Sequence, residues 1–95
     1  MIKLVAKNHV KGDKLGEYTQ IAKRLEQMTN TNDEGCISYV LYQDVSDPAV
    51  FAFIEEWENM EALNKHMAAA HFKELVPELD ALTDRPGEMN LFRKA

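Results

Sequence analysis

Two hydrophobic periods alternate along this chain, and their order limits it to few folds. "IKLVAKNHV" repeats with period two: Ile2, Leu4, Ala6 and Asn8 share one face, and Lys3, Val5, Lys7 and His9 share the other. That predicts a strand. "KGD" turns the chain, with Asp13 as a helix-cap candidate. In "KLGEYTQIAKRLEQM", Leu15, Tyr18, Ile21, Leu25 and Met28 recur at three- and four-residue spacing, so this stretch predicts an amphipathic helix. After the polar loop "TNTNDEG" come two β-branched and aromatic runs, "CISYVLYQD" and "VFAFIEEW", joined by a turn at Asp47-Pro48. Asn59 can cap a further helix with a stripe of Met60, Leu63, Met67 and Ala70, beside which His66 sits. Phe72, Leu75, Val76, Leu79 and Leu82 form a second stripe, and Pro77 predicts a break between His71 and Pro77. "EMNLFRKA" predicts a closing strand.

The order strand, helix, strand, strand, helix, strand predicts an α+β fold, the ferredoxin-like split βαβ with a four-stranded antiparallel sheet and helices on one face. The other sheet face would keep its apolar side chains exposed. Covering it with a second copy is the simplest solution, so a homodimer is expected. Ninety-five residues leave room for one domain, 1–95.

Composition excludes several functions. The net charge of -5, with sixteen acidic residues against eleven scattered Lys and Arg, offers no nucleic-acid surface. No apolar run approaches the roughly 20 residues of a membrane helix. The first ten residues are too short and polar for a signal peptide, and a single cysteine asks for no oxidising compartment. A cytoplasmic location is expected.

A ferredoxin-like fold does not specify chemistry, so the polar residues are weighed one by one. His66 is either a general base looking toward the sheet or a boundary histidine that wets its tip. His71 lies five residues on, about 140° around a straight helix. The two therefore do not make an i,i+4 metal pair, and no cluster of Cys or carboxylates completes a tetrahedral site, so no metal is expected. Trp57 is a core aromatic or an indole N–H donor to a ligand. Asn8, an amide on an apolar strand face, is a structural tie or a ligand contact. Tyr39 and Tyr42 face opposite sides of their strand, so only one can look at the helices. Cys36 has no neighbour that marks it as an activated thiolate. Glu55 and Glu56 do not form the spaced carboxylate pair of a glycosidase.

The segments "EGCISYVLYQD" and "VFAFIEEWENMEALNKHMAAAHFKEL" resemble the antibiotic biosynthesis monooxygenase (ABM) family, and within it small quinol monooxygenase-like proteins. The shared pattern is a Glu-Gly-Cys turn into a strand, a strand ending Glu-x-Trp, and a helix with Ala-Leu-x-x-His followed by His-Phe. The resemblance covers essentially the whole chain. It implies a dimeric α+β barrel with a pocket between sheet and helices in each subunit. Asn8, Trp57 and His66 match pocket positions of the family, with Phe72 and His71 near the rim. Members that oxidise aromatic polyphenols use dioxygen and no flavin, haem or metal. On that likeness His66 is the base, Trp57 and Asn8 hold substrate oxygens, and Phe51, Phe53, Phe72 and Tyr39 contribute to substrate binding. The superfamily also holds haem-degrading enzymes, an isomerase and proteins without known activity. Haem degraders carry an iron-ligating histidine one turn beyond the Phe72 position. Here Lys73, Glu74, Leu75 and Val76 follow instead, and His66 stands where that branch has its key tryptophan. A non-catalytic ligand-binding dimer is the alternative class.

Overall fold

A computed structural model describes all residues 1–95. The elements are β1 (Ile2–His9), α1 (Leu15–Asn32), β2 (Cys36–Gln43), β3 (Val50–Trp57), α2 (Met60–Ala68), α3 (Ala70–Asp80) and β4 (Glu88–Phe92). The strands form one antiparallel sheet in the order β2-β3-β1-β4. This is the ferredoxin-like α+β arrangement that the alternating periods predict.

The period-two pattern decides which side chains meet the helices. Leu4, Tyr39, Phe53, Glu55 and Trp57 are buried on the helix side. The register places Leu4 opposite Glu55, Ala6 opposite Phe53 and Asn8 opposite Phe51. Val5, Val40 and Ile54 pair across the opposite face, where Tyr42 and Phe92 are also exposed. Glu56 points to this outer face and pairs with Lys3 at 3.3 Å. The two adjacent glutamates of β3 thus have different fates, one in the core and one half-buried on the outer face.

Helix α1 does more than cover the sheet. Its side chains complete the free edge of β2: Asn30 Nδ2 donates to the Tyr39 carbonyl at 2.7 Å, and Glu26 Oε2 accepts from the Leu41 N–H at 2.7 Å. Such groups otherwise stand open on an edge strand. The helix starts at Leu15 after Lys14, without a side-chain cap, so Asp13 does not have the capping role expected of it. Asn59 does cap α2, accepting from the Ala62 N–H at 2.9 Å.

The turn into β2 depends on Gly35. Its φ of +80° belongs to the left-handed region, and a Cβ there would lie 2.5 Å from Ala62 Cβ. Only glycine lets α2 approach this closely.

The helix break is earlier than expected. It falls at Ala69, which is extended at φ -70° and ψ 150°, and whose N–H donates to the His66 carbonyl at 3.0 Å. Pro77 removes one internal hydrogen bond but lies inside α3 without ending it. One extended residue re-phases the chain, so that His71, Leu75 and Leu79 all face the core. No helix is long and apolar enough to cross a membrane.

Candidate functional site

A cavity of about 240 Å³ lies between the sheet and the helices. Its wall is largely apolar, with Leu4, Ala6, Phe53, Leu63, Met67 and Phe72 among the contributors. The polar groups in the wall come from separate elements: Asn8 from β1, Tyr18 from α1, Tyr39 from β2, Glu55 from β3 and His66 from α2. This matches the usual composition of a ligand site, apolar with a few placed polar groups.

His66 is 2% exposed, so it is a core residue of α2 rather than a boundary one. Its ring packs against Trp57 at 4.7 Å, Phe72 at 5.0 Å and Tyr39 at 5.2 Å between centroids. Met60, placed on the apolar stripe by sequence, is instead exposed. His66 Nδ1 lies 2.5 Å from Asp33 Oδ2. A carboxylate only accepts, so the proton of that bond sits on Nδ1, and Nε2 is left as the lone-pair nitrogen of the neutral ring. Nε2 has no hydrogen-bond partner in the protein. Burial depresses the His66 pKa, outweighing the opposing pull of Asp33. The ring is therefore neutral near pH 7 and able to accept a proton.

Asp33 caps the C-terminus of α1, and its backbone N–H donates to the Thr29 carbonyl. Its carboxylate also meets the second histidine: His71 Nε2 lies 2.9 Å from Oδ1. The helix-wheel separation of His66 and His71 therefore does not hold, because the break at Ala69 falls between them. Their ring centroids are 6.1 Å apart. The ligating atoms of Asp33, His66 and His71 lie within 4.8 Å of one another, a donor set that a transition metal accepts. One nitrogen of each imidazole is at hydrogen-bond distance from the carboxylate.

Glu55 is the residue that sequence reading missed. It is 4% exposed and lines the cavity. Burial pushes its carboxyl up to about 7, partly offset by the Trp57 indole, whose Nε1–H donates to Oε1 at 2.9 Å. Its signal was present in the sequence: a carboxylate sharing a strand face with Phe51, Phe53 and Trp57. Tyr39 is the tyrosine that faces the helices, and burial holds its phenol far above the usual range.

Several expected site residues are placed differently. The Trp57 N–H, expected to hold a substrate oxygen, is committed to Glu55, and the indole lies behind His66 rather than in the cavity wall. Phe51 is core packing against Tyr18 at 5.0 Å and does not wall the cavity. His71 is buried against Asp33 and not at a rim. Asn8, Phe53, Phe72, Tyr39 and His66 do line the cavity. Burial raises the Cys36 thiol to about 11, so it is not an activated nucleophile.

The family model for "antibiotic biosynthesis monooxygenase" matches residues 1–78. The chain belongs to the ABM family. It is 31% identical over 86 residues to the Bacillus subtilis protein YcnE, whose name calls it a candidate monooxygenase, covering 90% of each chain. It is also 31% identical over 86 residues to the uncharacterised Synechocystis protein sll1783, and this alignment spans only 58% of that relative's length. A crystal structure of a conserved Methanosarcina mazei protein superposes with a TM-score of 0.95 at 38% identity, covering 99% of this chain and 92% of that one. A crystal structure described as an antibiotic biosynthesis monooxygenase superposes equally well, at 0.95 and 32% identity, covering 100% and 99% of the two chains. This ABM domain therefore carries its polar cluster on a family-typical frame.

Proposed function

We propose that this ABM protein is a cofactor-independent monooxygenase that oxidises a small aromatic, polyphenol or quinol with dioxygen. The observation that carries this reading is His66: a neutral imidazole that lines a largely apolar cavity, with Nδ1 held by Asp33 and Nε2 without a protein partner. Nε2 takes the proton of a substrate hydroxyl. The resulting electron-rich anion passes an electron to dioxygen, and the two radicals combine to form a C–O bond. One oxygen atom stays on the ring. The other leaves as water, using electrons and protons that all come from the substrate, so no external reductant is needed.

Glu55 supports the second half of this sequence. A carboxyl that titrates near neutrality can deliver a proton to the departing oxygen and then take another back. The apolar wall keeps the anion away from bulk water and strengthens each of these contacts. Asp33 acts through His66, fixing its tautomer and orientation, with His71 as the second anchor of the carboxylate.

The working form on this reading is a homodimer joined through the outer sheet face. Val5, Val40 and Ile54 form an apolar strip across three strands, flanked by exposed Tyr42 and Phe92.

The test is oxygen uptake by metal-stripped protein with a panel of hydroquinones, beside the His66→Ala variant. Consumption above the spontaneous rate that falls about 100-fold or more in the variant is expected. Equal uptake by both proteins would remove His66 as the base. Binding without any uptake would make this a ligand-binding member of the family.

A further inference from the structure

The cavity wall contains no lysine and no arginine. Its charged members are three carboxylates, Glu55, Asp80 and Glu88, together with the neutral His66. A site built for a carboxylate, sulfonate or phosphate ligand places a cation or a fork of donors at the anion. Here an anionic ligand would find no cation to pair with, only the buried Glu55 carboxyl at the inner end and the exposed carboxylates of Asp80 and Glu88 at the mouth, which disfavours its binding.

The polar groups fall at two poles. Glu55, His66 and Tyr39 form the inner one. Asn8 and Tyr18 form the outer one, next to Gly87 and Asp80. Asn8 pairs with Phe51, four residues from Glu55 along β3, or ~13 Å of strand at about 3.3 Å per residue. Between them the sheet presents Leu4, Ala6 and Phe53, which are apolar. Tyr18 lies beside Asn8 at the outer pole. Its side chain is 1% exposed, and its hydroxyl makes no hydrogen bond of good geometry, with only the Asn8 side chain close enough to interact with it. Burial pushes the phenol up to about 12, so it remains a donor at neutral pH. A buried hydroxyl in a cavity wall with only a poorly placed amide beside it has hydrogen-bonding capacity left for a ligand oxygen.

About 240 Å³ exceeds the roughly 150 Å³ cavity that takes benzene and falls below the ~300–1,000 Å³ of drug-sized pockets.

We propose that the pocket selects an uncharged one- or two-ring aromatic that carries an oxygen at each end, and rejects its carboxylated analogues. One oxygen meets His66 and Glu55 at the inner pole. The other meets Tyr18 and Asn8 at the outer pole. The ligand enters neutral and is ionised only inside. This rests on the monooxygenase reading for what happens next, but the selection is a property of binding alone.

The test is calorimetric titration of the full chain at pH 7 under nitrogen, with 1,4-dihydroxynaphthalene, 1,4-dihydroxy-2-naphthoate and 1-naphthol. The diol is expected to bind at least about tenfold tighter than the carboxylate. It is also expected to bind several-fold tighter than the mono-ol, a difference that the Tyr18→Phe variant removes. Equal or tighter binding of the carboxylate would overturn the proposal, as would failure of all three to bind at millimolar concentration. A diol advantage that survives in Tyr18→Phe would overturn the outer pole. Oxygen uptake is measured separately, so a pocket with this selectivity and no turnover sinks the monooxygenase reading and leaves the binding proposal standing.

Discussion

Asp33 and His66, thirty-three residues apart, meet at 2.5 Å between Oδ2 and Nδ1. The first ends α1 and the second lies on α2, so the contact joins the two helical segments that cover the sheet. It also fixes the proton of His66 on Nδ1 and leaves Nε2 as the free nitrogen of a ring that lines the cavity. Replacing Asp33 by Asn keeps one acceptor oxygen for two imidazoles. The expected outcome is a further fall in the His66 pKa, because the charge that opposes burial is gone. NMR titration of the His66 ring protons reads this directly. Turnover should drop with a changed pH profile, and an unchanged His66 titration would refute the role of Asp33.

Glu55 makes stability depend on pH in a defined direction. Its folded pKa of about 7 stands above the ordinary carboxyl value. The native state thus binds the proton more tightly than the unfolded chain does. The stabilisation is complete below the unfolded pKa of ~4.3 and is lost as pH rises through about 7. The loss is on the order of 4 kcal/mol at most, from about 1.4 kcal/mol per pKa unit. Glu55→Gln removes the charged form, so urea unfolding at pH 5.5 and pH 8.5 should show a smaller decline for the variant. Parallel declines in both proteins would show that Glu55 is not the group responsible.

Gly87 closes the outer pole from the β4 side. A Cβ there would lie 2.4 Å from Asn8 Oδ1 and 3.2 Å from the Lys7 carbonyl. Gly87→Ala must push the Asn8 amide aside. Ligand affinity should fall about tenfold, with a stability loss of about 1–3 kcal/mol. Unaltered affinity in the same calorimetric titration would show that Asn8 makes no ligand contact.

Ile54 lies at the centre of the outer apolar strip, between Val5 and Val40. Ile54→Lys places a charge there that a lone subunit tolerates and a face-to-face pair does not. Sedimentation velocity should show a dimer for the natural protein and a monomer for the variant. A natural protein that sediments as a monomer at micromolar concentration would end the dimer proposal.

Much of the fold was legible because local period and global packing agree. The alternation in β1 already separates Leu4, Ala6 and Asn8 from Lys3, Val5 and Lys7, and the register keeps that division. The site was legible only in part. Asn8, Tyr39, Phe53, His66 and Phe72 were within reach because each shares a face with apolar neighbours. Asp33 was not, since it sits in the polar loop "TNTNDEG" and only tertiary structure carries it into the core. The pairing of His66 with His71 was hidden for a related reason. A straight-helix projection cannot foresee one extended residue at Ala69, and no proline or glycine marks that position.

The attachment of Asn30 and Glu26 to Tyr39 and Leu41 has a consequence for assembly. It gives the sheet a closed side and an open side. A foreign strand seeking to extend the sheet beyond β2 would have to displace both helix-borne partners, while the margin at β4, with every residue exposed, has no such guard. Lateral growth of this sheet is thus directional, and any fibre-like stacking would begin at Glu88–Phe92.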